Sequence, residues 1–382
     1  MYSRLLAKPK QSVLLLGPRG TGKSTWIREH FANAPRYDLL NTSEALRLSR
    51  NPELLFQELS HLPADGWAVV DEVQKVPALL DQAQRLIEEC GIRLVLSGSS
   101  ARKLKRSGVN LLAGRARVTH MHPLVSRELG EHLDVDQRIL YGGLPITVTS
   151  DDPADYLHSY AETYLREEIQ AEALTRNIGN FSRFLEIAAR QNGQLTNATS
   201  TGRDAQVSRQ TVQSYFEILV DTLIGYWVKA WQLKRATKQV SHPKFYLFDS
   251  GVARALSGRL PYPPTQEELG ALLETYIYSE LRAYLDYTKK RYPFYFWRSY
   301  DGVEVDFLCE TIDGFRAIEI KASRRWERRF GRGIARLRDD LGKGQVEAFG
   351  VFQGDRSLNK GGIQVYTVSD FLTRLWNGEI IP

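Results

Sequence analysis

The chain has 382 residues, of which 42% are hydrophobic and 25% are charged, and its formal net charge is +6. This length predicts roughly two or three domains, and the composition is ordinary for a soluble globular chain. The two cysteines, Cys90 and Cys309, exclude a disulfide framework or a zinc spacing, which favours a reducing cytoplasm. Near the N-terminus the longest apolar run, Val13–Leu16, is too short for a signal core or a membrane span, so we expect no membrane partner.

The first motif is SVLLLGPRGTGKST, which reads as a buried strand, a glycine-rich loop and the start of a helix. It fits the pattern G-x-x-x-x-G-K-[ST], in which backbone N–H groups and the positive end of the helix dipole surround phosphate oxygens. We expect Lys23 to reach the β- and γ-phosphates of ATP, and Ser24 to hold Mg²⁺. The predicted nucleotide-binding residues form one run: Gly17, Pro18, Arg19, Gly20, Thr21, Gly22, Lys23, Ser24 and Thr25.

The second motif is GWAVVDEVQKVP, a continuous apolar strand of the parallel type followed by two acids. Asp71 at the carboxyl end of the strand is predicted to bind Mg²⁺, directly or through water. Glu72 is predicted to polarise the water that attacks the γ-phosphate. The alternative is an acidic pair that only caps the next helix.

A third strand, IRLVLSGSS, ends in hydroxyl side chains. Because ligands of open α/β sheets collect at the carboxyl ends of strands, Ser97 or Ser99 is a candidate sensor of the γ-phosphate or of the attacking water. A plain turn is the alternative. Arg115 then follows, either as an arginine finger for a neighbouring subunit or as a surface salt-bridge residue. The catalytic candidates are therefore Lys23, Glu72, Ser97 and Arg115.

Taken together, GPRGTGKST, VVDEVQKVP, LVLSGSSARKL and LLAGRARVTHMHPLVSREL resemble the AAA+-type ATPases that prokaryotes encode with a C-terminal domain of unknown function. The turn GGLP and the segment ETYLREEI fit the same family. The resemblance covers nearly the whole chain. It implies an ATP-binding protein that forms a homo-oligomer, a ring of about six subunits, in which an arginine such as Arg115 completes a neighbour's site.

The middle of the chain has the order of a winged helix. FSRFLEIAARQNG places its apolar residues on one helix face, and VSRQTVQSYFEILV is a second amphipathic helix with Ser208 as its N-cap. Arg209 lies on the outer face of that second helix. A strand-rich stretch follows, and residues 222–248 hold five basic residues and no acid. We expect Arg209, Lys234, Arg235 and Lys238 to contact DNA phosphates, the alternative being helices that only pack against their neighbours.

The stretch FYFWRSYDGVEVDFLCETIDGFRAIEIKAS reads as three strands. Glu319 and Lys321 are two residues apart and so point to one face, where Asp306 on the adjacent strand can meet them. Two carboxylates beside a carbonyl can hold Mg²⁺, so Asp306 and Glu319 are the predicted metal ligands. Eight basic residues lie between positions 321 and 338, among them Arg324 and Arg325, our further candidates for DNA contact.

This pattern resembles the PD-(D/E)xK restriction-endonuclease-like core. The resemblance puts Asp306, Glu319 and Lys321 on its catalytic positions and Glu274 on its helix glutamate, with Glu280 as the second choice. The alternative is a structural remnant that has kept the fold and lost the chemistry.

The predicted class is α/β, with an AAA+-like P-loop ATPase domain at 1–150, a helical linker and winged helix at 151–262, and a restriction-endonuclease-like α/β domain at 263–382. The predicted function is ATP hydrolysis by an oligomer that binds and remodels branched or duplex DNA, with ATP and Mg²⁺ as cofactors and branch migration as one such activity. The alternatives are an ATP-gated, metal-dependent DNA nuclease and a nucleotide switch that controls protein partners and has an inactive tail.

Overall fold

The computed structural model describes residues 2–100, 102, 112, 114–164, 178–232 and 242–382. The chain divides into two compact units. The first comprises Met1–Pro123 with Glu217–Ile224, and the second comprises Leu124–Phe216 with Gly225–Pro382. No helix among the described residues is both long and apolar enough to cross a bilayer.

The first unit contains a parallel five-stranded sheet with the strand order β2-β3-β4-β1-β5. Its three central strands are buried along nearly their whole length, as parallel strands covered on both faces are. The strands are β1 (Val13–Leu16), β2 (Arg36–Asp38), β3 (Trp67–Asp71), β4 (Arg93–Gly98) and β5 (Arg117–His120). The helices are α1 (Lys23–His30), α2 (Thr42–Arg50), α3 (Glu53–Leu59) and α4 (Leu79–Cys90). The predicted α/β class with a parallel sheet is confirmed.

The helical part of the second unit begins with four short helices, α5 (Ser126–Leu129), α6 (Val135–Tyr141), α7 (Pro145–Thr149) and α8 (Pro153–Ser159), and a π-helical turn at Tyr160–Tyr164. Among the described residues three further helices follow, α9 (Ile178–Arg190), α10 (Ala198–Ala205) and α11 (Arg209–Asp221), of which the last turn from Glu217 belongs to the first unit. Strands β6 (Gly225–Ala230) and β7 (Lys244–Leu247) then pair antiparallel. Three helices followed by a hairpin is the order predicted from the sequence, and the polar middle segment does form a helix, α10, which Asn197 caps.

The predicted faces of these helices agree with the structure. In α9 the side chains of Phe181, Phe184, Leu185 and Ala188 are buried. In α11 the buried side chains include Val212, Tyr215, Phe216 and Leu219. The Ser208 hydroxyl accepts a hydrogen bond from the Thr211 N–H at 3.1 Å, as expected of an N-cap. Arg209 is exposed.

The rest of the second unit is a mixed eight-stranded sheet in the order β12-β13-β11-β10-β9-β8-β6-β7. Its remaining strands are β8 (Phe294–Arg298), β9 (Glu304–Thr311), β10 (Gly314–Lys321), β11 (Val346–Phe352), β12 (Leu358–Lys360) and β13 (Ile363–Thr367). The helices that accompany it are α12 (Ser250–Leu256), α13 (Gln266–Tyr287), α14 (Arg332–Leu341) and α15 (Val368–Trp376).

The β6–β7 hairpin is an extension of this sheet. Strand β6 pairs in parallel with β8, with Lys229 opposite Tyr295 and Ala230 opposite Phe296, and the Trp231 N–H donates to the Phe296 carbonyl at 2.7 Å. The hairpin of the predicted middle domain and the strands of the predicted third domain therefore share one sheet. The three predicted domain ranges stay predictions.

Candidate functional site

The predicted phosphate loop lies between β1 and α1. Gly20 and Gly22 have positive φ values of 81° and 94°, a backbone conformation that glycine adopts without strain. A Cβ atom at Gly17 would lie 2.5 Å from the Met121 carbonyl oxygen, so this position has no room for a side chain. Among the described residues, no side chain caps the N-terminus of α1, and its first turn contains no acid. Backbone N–H groups at the start of this helix and the positive end of its dipole therefore fit an anionic phosphate group.

Lys23 is buried and folds back over the loop. Its ammonium group donates hydrogen bonds to the Gly17 carbonyl at 2.7 Å and to the Pro18 carbonyl at 3.1 Å. The Thr21 hydroxyl donates to the same Pro18 carbonyl at 2.8 Å. The Lys23 ammonium, which is predicted to bind phosphate, is thus held at the mouth of the loop by backbone carbonyl oxygens. Phosphate oxygens can replace these carbonyls as its acceptors.

The second motif lies at the carboxyl end of β3, beside the end of β4. Asp71 is 1% exposed; its Oδ1 accepts a hydrogen bond from the Ser97 hydroxyl, and its Oδ2 forms an ion pair with Arg36 at 2.5 Å. Glu72 has φ 60°, which is strained for a non-glycine residue. The Ser99 hydroxyl donates to Glu72 Oε2 at 3.2 Å, and Gln74 Nε2 donates to the same oxygen.

The two serines that the sequence left as alternatives therefore have different partners. Ser97 contacts the acid predicted to hold Mg²⁺, and Ser99 contacts the acid predicted to polarise water. Gln74 also donates to the Ser99 hydroxyl, at 3.1 Å. Sequence reasoning missed Arg36 and Gln74, although Gln74 lies two residues after Glu72 within the quoted motif.

Arg115 lies on the surface of the first unit. Its guanidinium forms an ion pair with Glu88, and both side chains are more than one-third exposed. This contact matches the salt-bridge alternative, and exposed pairs of this kind contribute little to stability. The arginine-finger role stays a prediction.

A second group of charged side chains lies in the second unit, where α13, β7, β9 and β10 meet. We call it the acid–lysine cluster, and its members are Lys244, Tyr246, Glu274, Glu304, Asp306, Glu319 and Lys321. It contains all four residues predicted for the nuclease-like core. Lys244, Tyr246 and Glu304 were not predicted; from the sequence, Lys244 is one of five bases in an acid-free stretch.

The two lysines divide the carboxylates between them. The Lys244 ammonium lies 3.0 Å from Glu274 Oε1 and 2.5 Å from Glu304 Oε1. The Lys321 ammonium lies 2.5 Å from Glu319 Oε1 and 3.5 Å from Asp306 Oδ2.

Burial and like charge act on the acids of this cluster. Burial raises the pKa of Glu319 well above its ordinary value, and the neighbouring Asp306 raises it further. Burial likewise raises the pKa of Glu274. Burial opposes the charge of Lys244, yet the carboxylates of Glu274, Asp306 and Glu304 outweigh it and raise the lysine pKa.

The cluster does not fit a divalent cation as it stands. Within the part of the chain that the structure describes, there is no group of three or more His, Cys, Asp or Glu side chains that could hold a metal ion. Ammonium groups lie among the carboxylates instead. The predicted Mg²⁺ ligands Asp306 and Glu319 thus face Lys321, and their metal role stays a prediction.

Three family models match consecutive parts of the chain. Residues 9–130 match a model described as an AAA domain. This segment is an AAA-type, P-loop ATPase-like domain. Residues 132–262 and 269–371 match two domains of unknown function, DUF8612 and DUF4143. The AAA domain contains the phosphate loop, Asp71, Glu72 and both serines, whereas the acid–lysine cluster is shared between the other two.

Similar proteins are found in bacteria and archaea. An uncharacterized protein of Mycobacterium tuberculosis is 28% identical over 319 residues, which are 81% of this chain and 70% of that protein. An uncharacterized protein of Methanocaldococcus jannaschii is 24% identical over 268 residues, which are 62% of this chain and 57% of that protein. Among solved structures, the Aeropyrum pernix Orc1 protein in complex with DNA is similar at 14% identity and TM-score 0.31, over 66% of this chain and 87% of that one.

The residues predicted to contact DNA lie outside the AAA domain. Arg324 and Arg325 are exposed, as is Arg209 at the start of α11. Lys234, Arg235 and Lys238 lie outside the described residues, as does the end of the ETYLREEI segment, residues 165–169.

Glu280, the second choice for the helix glutamate, does not join the acid–lysine cluster. It lies six residues after Glu274 on α13 and is 2% exposed. Its carboxylate accepts hydrogen bonds from the Ser126 N–H at 2.6 Å, the Ser126 hydroxyl at 2.9 Å and Trp376 Nε1 at 2.7 Å. Burial raises the pKa of Glu280 to about 7, although these three donors favour the carboxylate.

The free energy of unfolding should therefore depend on the charge of Glu280. With a folded-state pKa above its ordinary 4.5, its stabilising contribution is present at low pH and is lost as the pH rises through about 7. We expect Glu280→Gln to gain stability relative to wild type between about pH 5 and pH 8, by on the order of 3 kcal/mol at about 1.4 kcal/mol per pKa unit. Thermal melts at several pH values measure this, with the exposed Glu267→Gln on the same helix as control. A difference that does not vary with pH would contradict it.

Proposed function

We propose that the protein is an ATP-hydrolysing AAA-type enzyme that binds and remodels DNA. The observation that supports hydrolysis most directly is the hydrogen-bonded group of Asp71, Glu72, Ser97 and Ser99 at the strand ends next to the phosphate loop. A phosphate loop alone binds nucleotide. A positioned acid with its own hydroxyl partner is what water attack on the γ-phosphate requires.

The chain's own residues have distinct tasks in this proposal. Residues 17–25 form the loop around the phosphates of ATP, to which backbone N–H groups of residues 19–25 donate, and Lys23 exchanges its two carbonyl contacts for phosphate oxygens. Glu72, positioned by Ser99 and Gln74, accepts the proton of the attacking water. Ser24 and Asp71 would hold Mg²⁺, which neutralises charge on the phosphates, while Ser97 and Arg36 orient the Asp71 carboxylate.

Support for DNA as the partner comes from the second unit. Helices α9–α11 followed by the β6–β7 hairpin have the order of a winged helix, and the outer face of α11 presents polar and basic side chains. The exposed arginines after β10 form a second basic surface beside the acid–lysine cluster. Phosphate contacts of this kind give affinity that is independent of sequence. We infer that the restriction-endonuclease-like core serves binding rather than cutting, because Lys244, which the sequence pattern does not include, pairs with Glu274 and Glu304.

The homo-oligomeric ring is the third part of the proposal. Arg115 must leave its contact with Glu88 to reach a neighbouring subunit's nucleotide, and an exposed ion pair resists this only weakly. We expect Arg115→Ala to reduce ATP turnover and to leave ATP affinity nearly unchanged, as measured by phosphate release and nucleotide titration. Light scattering that finds a monomer at full turnover in the presence of ATP would exclude the ring.

Substitutions in the AAA domain test the hydrolytic role. Glu72→Gln removes the base and should lower steady-state phosphate release by about 10²- to 10⁴-fold while ATP binding persists. Lys23→Ala should abolish hydrolysis as well, because the β- and γ-phosphates lose their cation. Glu89→Gln is the matched control, since this half-exposed acid on α4 pairs only with Arg85 among the described contacts. Phosphate release near the wild-type rate in Glu72→Gln would refute the assignment.

Charge reversal tests the DNA contacts. Each phosphate contact that is lost should lower the slope of log affinity against log salt by about 0.9. We expect Arg324→Glu with Arg325→Glu, and Lys234, Arg235 and Lys238 changed together to Glu, to weaken binding to all sequences alike. Fluorescence anisotropy between low and moderate salt measures it. The control is Arg190→Glu with Arg374→Glu, two exposed arginines outside both basic stretches. Equal losses in test and control would count against a specific surface.

A further inference from the structure

We propose that the Lys244 ammonium is the resident cation of the acid–lysine cluster and keeps this cluster free of divalent metal. The position of Lys244 follows from the sheet. Strands β6 and β8 lie between β7 and β9 in the sheet order, yet the Lys244 ammonium on β7 reaches Glu304 Oε1 on β9 at 2.5 Å, 60 positions along the chain. Its side chain is 5% exposed and bridges two carboxylates that belong to α13 and β9.

Each carboxylate of the cluster has at least one oxygen that already faces a donor. Glu274 Oε1 accepts hydrogen bonds from Lys244 and from the Tyr246 hydroxyl. Glu304 uses one oxygen for Lys244 and the other for Arg298, at 3.0 Å. Asp306 Oδ2 accepts the Ile320 N–H at 2.7 Å and faces Lys321, and Glu319 Oε1 faces Lys321 as well.

The two oxygens of Glu319 differ in their surroundings. Glu319 is only 5% exposed, and its Oε2 atom is buried and has no hydrogen-bond partner among the described residues. An unpartnered buried carboxylate oxygen is costly, and it is the kind of atom that a bound cation would satisfy. Glu319 therefore offers an oxygen that a cation could satisfy, whereas Glu274 and Glu304 already face an ammonium group from a separate strand.

Lys244 acts in this arrangement through charge and position. A divalent cation placed among Glu274, Glu304 and Asp306 would be repelled by the ammonium group and would have to break two ion pairs. An ammonium also lacks the open coordination positions with which a metal activates water. The cluster thus has a positive charge among its carboxylates, but this charge cannot activate water as a metal ion would. Removing the ammonium leaves a gap between two carboxylates that a divalent cation can enter.

The test is Mn²⁺ binding to the full chain without nucleotide, followed by electron paramagnetic resonance of the free ion. We expect the wild type and Lys244→Arg to show no Mn²⁺ site that depends on Asp306. Lys244→Met, which keeps the length of the side chain and its packing near the Phe296 ring, should gain one Mn²⁺ per chain. Adding Asp306→Asn to Lys244→Met should remove this gain, whereas adding Asp71→Asn in the AAA domain should not.

Two results would overturn the proposal. One is a wild-type Mn²⁺ site that disappears in Asp306→Asn. The other is a folded Lys244→Met, with the circular dichroism spectrum of the wild type, that gains no Mn²⁺. If Lys244→Met does not fold, the wild type still tests the proposal. We expect the melting temperature of the wild type to be the same in EDTA and in Mn²⁺. A higher melting temperature in Mn²⁺ that Asp306→Asn abolishes would contradict the proposal. The outcome is independent of whether the AAA domain hydrolyses ATP.

Discussion

The parallel register of β1, β3 and β4 is the constraint on which the nucleotide site depends. Leu16 pairs with Gly98, and Val70 pairs with Leu96, so the three strands end at one edge of the sheet. The phosphate loop leaves β1 at this edge, and the Gly17 N–H donates to the Gly98 carbonyl at 3.3 Å. Asp71 and Ser97 follow directly after the paired residues Val70 and Leu96, and their side chains therefore meet. A one-residue slip would turn these side chains to the opposite face and break the contact.

In the second unit, the acid–lysine cluster depends on the compensation of buried charge. Its sheet brings four carboxylates together below the surface, where unpaired charges would be strongly destabilising. Lys244 pairs with two of them and Lys321 with the other two, and because Lys244 belongs to the hairpin, its ion pairs attach β7 to α13 and β9. The charged residues that the sequence pattern assigned to chemistry thus also hold these elements together.

The positions that make up the candidate nucleotide site could largely be picked out from the sequence because they are local in it. Glycine spacing, Lys23 and the two acids after an apolar strand each depend on only a few neighbouring residues. The division of Ser97 and Ser99 between Asp71 and Glu72 could not be predicted, because it depends on the register between two strands. The choice between Glu274 and Glu280 is similar: six residues on a helix correspond to a rotation of about 240°, and only packing decides which face meets the sheet. The position of Lys244 was the hardest to predict. Its neighbours in the sequence include no acid and so indicate an exposed basic surface, whereas in the folded protein it is buried among acids.

The central claim is that ATP hydrolysis in the AAA domain is used to act on DNA. The most direct measurement is the steady-state ATPase rate of the wild type, with and without saturating four-way junction and linear duplex, at fixed salt. The account predicts that DNA stimulates phosphate release, and that the stimulation is lost on reversal of Arg324 and Arg325 while the DNA-independent rate remains. A rate that is unchanged by every DNA structure, in protein shown by anisotropy to be DNA-bound, would contradict it.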